Sequence, residues 1–148
     1  MKQSGQAGVI MYAEDNLTDA ELTLRAFRKA NIADQVLWLK DGQQVLDYLF
    51  PNPSAGGERM LPRLLLLDLK MPKVDGLQVL KAVRGNPLAR ALPIVILTSS
   101  AEESDLRCAY ESGANSYIIK PTDFKQLLEE VARLSHYWLT MNRLPACP

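Results

Sequence analysis

The stretch Leu64-Leu65-Leu66-Leu67-Asp68-Leu69-Lys70-Met71-Pro72 decides the fold. Four consecutive leucines offer no polar face, so they read as a strand buried on both sides, the habit of a parallel sheet covered by helices. The run stops on an aspartate and then on a turn containing proline. Working outward, the same texture recurs at Val9–Ala13, Val36–Leu39, Ile94–Leu97 and Tyr117–Ile119. Between these runs the apolar residues adopt helical spacing. Leu22, Leu24 and Phe27 follow a candidate capping box of Thr18 with Glu21, and Val45, Leu46 and Leu49 follow Asp41-Gly42. Leu77, Val79, Leu80 and Val83 make a third stripe; Leu106, Ala109 and Tyr110, closed by Gly113, make a fourth. The fifth runs Phe124, Leu127, Leu128, Val131, Leu134, Trp138 behind Asp123 and Gln126. Strand and helix alternate five times, which predicts an α/β fold: a doubly wound, five-stranded parallel sheet with right-handed crossovers. Pro51–Pro62, with Gly56-Gly57, is the one long loop.

Bulk composition narrows the function classes. The 148 residues suit a single domain of 1–148, and the 47% apolar fraction suits a packed core. Lys plus Arg and Asp plus Glu are each 17, so no net field draws the chain to nucleic acid or an anionic membrane. Cys108 and Cys147 have no CxxC or histidine neighbours to suggest zinc. No apolar run approaches the roughly 20 residues a membrane helix needs, and the N-terminus has no signal-peptide pattern. The expected setting is the cytoplasm.

The chemistry gathers at the strand ends. The first strand runs into Glu14-Asp15, the third into Asp68, the fourth into Thr98-Ser99 and the fifth into Lys120-Pro121. In an open α/β sheet, ligands bind beyond the carboxyl ends of the strands, so these residues should converge. Three carboxylates this close need a hard cation to relieve their repulsion. Mg²⁺, which prefers oxygen ligands and keeps several waters, fits that need. A hydroxyl and an ammonium opposite would hold phosphoryl oxygens.

The acidic pair in Glu14-Asp15-Asn16, the block Leu67–Pro72 followed by Asp75-Gly76, Thr98, Gly113-Ala114-Asn115, Tyr117 and Lys120-Pro121 together resemble the receiver domain of two-component response regulators. The likeness covers nearly the whole chain and implies the flavodoxin-like, CheY-like (βα)5 fold. By that resemblance Asp68 is the phospho-acceptor, and Glu14, Asp15, Asp68 and the backbone carbonyl of Lys70 hold Mg²⁺. Lys120, Thr98 and Ser99 meet the phosphoryl group, Thr98 and Tyr117 act as the switch pair, and the peptide bond before Pro121 is cis. The implied function is a phosphorelay response regulator: it accepts a phosphoryl group from a histidine kinase and signals through protein–protein contacts. The long loop, Asp123-Phe124 and the Tyr137-Trp138…Arg143-Leu144-Pro145 ending are similar to the small regulators that serve bacterial phytochromes, which implies a phytochrome-type kinase.

Other readings stand beside this one. An aspartyl-nucleophile phosphatase would usually carry an acid two residues after the nucleophile, where this chain has Lys70. A degenerate receiver would lack key side chains, and none is missing. A lysine at position 70 can cover a phosphoryl group or pair with Glu14. His136, the only histidine, lies late on an amphipathic helix and reads as a surface or packing residue. That helix stays apolar through Tyr137, Trp138 and Met141, beyond the length one small domain covers, which predicts an extended C-terminal helix and a homodimer built on it.

Overall fold

The computed structural model describes residues 9–52, 54 and 61–145; most of the Pro51–Pro62 loop and Cys147 lie outside them. Five parallel strands, β1 (Ile10–Ala13), β2 (Val36–Leu39), β3 (Leu64–Leu67), β4 (Ile94–Thr98) and β5 (Ser116–Ile119), form one sheet in the order β2-β1-β3-β4-β5. Five helices alternate with them: α1 (Leu17–Lys29), α2 (Gly42–Leu49), α3 (Gly76–Arg84), α4 (Glu103–Glu111) and α5 (Phe124–His136). This is the expected doubly wound fold.

The continuous apolar runs have a direct cause. Ile10, Tyr12, Leu64, Leu66, Val95 and Leu97 point to one face, against α1 and α5. Met11, Ala13, Leu65, Leu67, Ile94 and Ile96 point to the other, where Val45, Val79 and Val83 cover them. Because both faces are dry, every position of a central strand gains by being apolar, at about 1.5–3 kcal/mol per large side chain. β1, β3 and β4 are fully buried; β2 and β5, at the edges, are half-buried.

Four of the five helix starts follow side-chain cap chemistry, with one correction, while α4 begins after Glu102 without a side-chain cap. Asn16, not Thr18, caps α1: its side chain accepts from the Asp19 N–H, which puts the helix start two residues early and dissolves the Thr18–Glu21 box. Asp41 caps α2 as expected. Asp75 and Gln78 form a full capping box on α3, while Asp123 caps α5 through the Lys125 N–H and the Gln126 side chain turns to Glu130. Beyond His136 the chain tightens no further but widens into a π-helical turn, Tyr137–Met141. Trp138 folds back, half-buried, on the α1/α5 core and meets Tyr137 edge-on at 5.0 Å. Tyr137 and Met141 remain exposed.

Candidate functional site

Strand register brings the acids together. Ala13 pairs with Leu67 in the β1–β3 ladder, and the Asp68 N–H donates to Ala13 O at 3.1 Å, so Glu14 and Asp68 emerge side by side. Thr98 pairs with Ile119, and the Lys120 N–H donates to Thr98 O at 2.7 Å, which brings the lysine out beside them. The turn after β3 is held from behind by α3. The Gly76 N–H donates to Leu69 O at 2.9 Å, and a Cβ on Gly76 would stand 2.3 Å from the Asp68 carbonyl oxygen. Only glycine permits that approach.

One oxygen each from Glu14, Asp15 and Asp68 lies within 4.8 Å of the others. Glu14 is fully buried, Asp68 is 5% exposed and Asp15 is open to solvent. This is an acidic cluster fitted to a divalent cation, with Asp15 on the side from which water reaches it. A cavity of about 330 Å³ adjoins it, bordered by Asp15, Lys70, Asp75 and Asp105.

Lys120 closes the opposite side. Its Nζ donates to Glu14 Oε1 at 2.6 Å, to Asp19 Oδ2 at 2.8 Å and to Asp68 Oδ2 at 3.4 Å. The other Glu14 oxygen accepts from the Asn16 N–H, and the Trp38 indole donates to the Glu14 carbonyl, so the β1–α1 turn is fixed from two sides. Burial pushes the Glu14 carboxyl up to about 7; Lys120 opposes that rise and Asp68 adds to it. Burial works against the Lys120 charge, yet hydrogen bonds to Asp19 and Glu14 outweigh it and hold the ammonium above its ordinary value.

The two residues expected to form a switch pair lie on β4 and β5. Thr98 is fully buried, and its Oγ1 lies 3.4 Å from the Ser100 N–H. Tyr117 is half-buried, its hydroxyl donating to the Ser100 carbonyl at 2.9 Å. The Ser100 hydroxyl donates to Asp105 in the first turn of α4. That hydrogen bond and then Lys70 hold the Asp105 carboxyl below the usual range.

Two expectations change, those for the Lys70 pairing and for the Lys120–Pro121 bond; Ser99 is only placed. Lys70 pairs with Asp105, 3.4 Å away, and not with Glu14; its side chain leans out along the cavity rim, two-thirds exposed. Ser99 is exposed, and the hydroxyl that joins the local network is Ser100. The Lys120–Pro121 bond is trans, as is every peptide bond among the described residues. Trans is the form an X–Pro amide favours by about 0.5–1 kcal/mol unless contacts overrule it.

Sequence reading missed Asp19, Ser100, Asp105 and Trp38. Asp19 had one local signal: it stands at the third position of α1, an acid in a helical first turn. Its partner is 101 residues away, and no local pattern names it.

Residues 10–132 match the family model described as the response regulator receiver domain. The chain is 44% identical over 137 residues, 93% of its length and 87% of the relative's, to a protein of Methanothrix harundinacea described as a probable methanogenesis regulatory protein, FilR2. It is 32% identical over 144 residues, 97% of each chain, to response regulator Rcp1 of Synechocystis sp.. The Mn²⁺-bound structure of Rcp1 superposes with a TM-score of 0.79 over 93% of this chain and 98% of that one, at 33% identity. The structure of the phosphorylated cyanobacterial phytochrome response regulator RcpA gives 0.81 over 93% and 97%, also at 33% identity.

Proposed function

The chain belongs to the response regulator receiver family, and from that membership we propose that it takes a phosphoryl group on Asp68 from a phytochrome-type histidine kinase. The observation that carries the acceptor role is the setting of the Asp68 carboxylate. It is 5% exposed at the carboxyl end of the central strand, flanked by Glu14 and Asp15 and faced by the Lys120 ammonium. Transfer from a phosphohistidine needs a carboxylate nucleophile in line with the leaving nitrogen and neutralisation of the equatorial oxygens. Asp68 supplies the nucleophile and Lys120 part of the neutralisation. Mg²⁺ is the cation we assign to Glu14, Asp15, Asp68 and the Lys70 carbonyl, where it would offset the remaining negative charge.

Thr98 and Tyr117 read out the change. A phosphoryl group on Asp68 adds oxygens that the Thr98 hydroxyl can reach by moving the β4–α4 segment, and Tyr117, tied to that segment through Ser100, moves with it. The module signals by altered surface rather than by turning over a substrate, in the cytoplasm, where its kinase partner presents the donor. No helix among the described residues is long and apolar enough to cross a membrane.

We assign homodimerisation to the exposed end of the C-terminal segment. Tyr137 borders an open groove of about 710 Å³ between β5 and α5, lined by Ile119, Arg133 and Leu134 among others, and Met141 is exposed in the same C-terminal turn. Tyr137→Ser with Met141→Ser should sediment as a monomer if this patch is the interface.

The test of the acceptor is direct. Acetyl phosphate with Mg²⁺ should add one phosphoryl group to the wild-type protein, on the peptide containing Asp68, and none to Asp68→Asn. Equal labelling of both proteins would overturn the assignment.

A further inference from the structure

The three acceptors of the Lys120 ammonium are not equivalent. Glu14 and Asp68 belong to the acidic cluster that fits a cation. Asp19 lies outside that cluster, on the first turn of α1, with its side chain 38% exposed. Its backbone N–H is spent on the Asn16 cap. Its carboxylate does not reach back to the cap, as an acid at the third helical position often does, but crosses to Lys120 at 2.8 Å.

From this geometry we infer that Asp19 is a positioning residue for phosphoryl transfer, holding the Lys120 ammonium against the acceptor through a hydrogen bond that neither cation binding nor phosphorylation of Asp68 consumes. The inference rests on Asp68 being the acceptor. A lysine has four rotatable side-chain bonds and an ammonium with three donors, so fixing it in one place costs side-chain entropy that a hydrogen bond must offset. Once Glu14 and Asp68 turn to a cation and a phosphoryl group, Asp19 is the acceptor left to keep Nζ in place. One N–H stays on Asp19 and another is free for a phosphoryl oxygen. The arrangement is a tether between α1 and the end of β5, two elements that contribute no other described side-chain hydrogen bond to each other at this edge.

Two substitutions separate geometry from charge. Asp19→Asn keeps an amide oxygen that can accept from Nζ; Asp19→Ala removes it. Neither touches the Asn16 cap, so the helix start survives. With saturating Mg²⁺, which draws Glu14 and Asp68 towards the cation, ¹⁵N spectra should show the Lys120 ammonium protected from solvent exchange in wild type and Asp19→Asn, and that protection lost in Asp19→Ala. This readout is independent of phosphorylation, so it tests the tether even if Asp68 is not the acceptor. Labelling by acetyl phosphate should then slow about tenfold in Asp19→Ala, the scale of one charge-assisted hydrogen bond, with most of the rate kept in Asp19→Asn. In a Lys120→Met background, Asp19→Ala should slow labelling no further. The inference is overturned if the ammonium stays protected in Asp19→Ala, if Asp19→Ala labels at the wild-type rate, or if its loss persists undiminished in the Lys120→Met background. Absence of label on wild-type Asp68 would instead overturn the acceptor assignment.

Discussion

Two cations sit at opposite ends of the sheet, each ringed by acceptors, and they are built for different ends. At the amino end, Arg84 closes α3 by donating through Nε to the Gly113 carbonyl at 2.9 Å, through Nη1 to the Arg90 and Leu92 carbonyls at 3.0 and 2.7 Å, and through Nη2 to Asn115 Oδ1 at 2.9 Å. The same Asn115 oxygen accepts from the Ile94 N–H, so one guanidinium pins the starts of β4 and β5. Its acceptors are neutral and each is satisfied. At the carboxyl end, Lys120 faces three carboxylates with Asp15 alongside, so negative charge exceeds positive. A planar fork on neutral carbonyls has one arrangement; a point charge among competing anions has several of similar energy. The first cluster fixes the scaffold, and the second is left poised to exchange partners.

Breaking the fixed cluster should give the largest loss of stability. Arg84→Ala strands several carbonyls and should cost on the order of 3–4 kcal/mol in urea unfolding, while the folded fraction still labels on Asp68. Arg84→Lys should recover little, because an ammonium cannot span the fork. Next comes Gly113→Ala. Gly113 sits at φ 108°, and an added Cβ would stand 2.7 Å from the Arg84 side chain, so the substitution combines backbone strain with displacement of the clamp, about 2 kcal/mol by the same measurement.

In the poised cluster the sign should reverse. Asp68→Asn removes one of the mutually repelling carboxylates while Lys120 keeps Glu14 and Asp19, so the metal-free protein should gain about 1 kcal/mol as phosphorylation disappears. The smallest stability change belongs to Lys70→Ala. The Lys70–Asp105 pair is largely solvated, so unfolding should shift by less than about 0.5 kcal/mol. Its signature is kinetic instead: loss of a long side chain from the cavity rim should admit water and shorten the life of phosphorylated Asp68 by several-fold.

How far each cluster was legible in the sequence follows from the same contrast. The strands announced themselves because burial on both faces requires unbroken apolar runs such as Leu64–Leu67. The acids and Lys120 announced themselves by standing directly after those runs. Register then does the rest, since neighbouring parallel strands that stop together put their next residues side by side. Asp19 and Arg84 gave no such signal. Each lies on a helix, where charged residues are expected on the solvent side; Arg84 reaches into the turn before β4 and across 29 and 31 residues to Gly113 and Asn115, and Asp19 finds Lys120 across 101. The helix start at Asn16 was displaced because Asn16, Thr18 and Asp19 all have cap chemistry and only the chain's exit from β1 decides among them. The π-helical turn at Tyr137–Met141 is likewise set by tertiary packing, with Trp138 drawn back onto the core.

The most direct test of the account is thermal unfolding of wild type and Asp68→Asn, each with and without Mg²⁺. Without metal, Asp68→Asn should melt above wild type. Saturating Mg²⁺ should raise the wild type strongly, by about 2.7 kcal/mol at a hundredfold excess over Kd, and raise Asp68→Asn far less, so that the order inverts. A wild-type midpoint indifferent to Mg²⁺, or an equal rise in both proteins, would contradict the claim that the Asp68 carboxylate is held in a site short of positive charge.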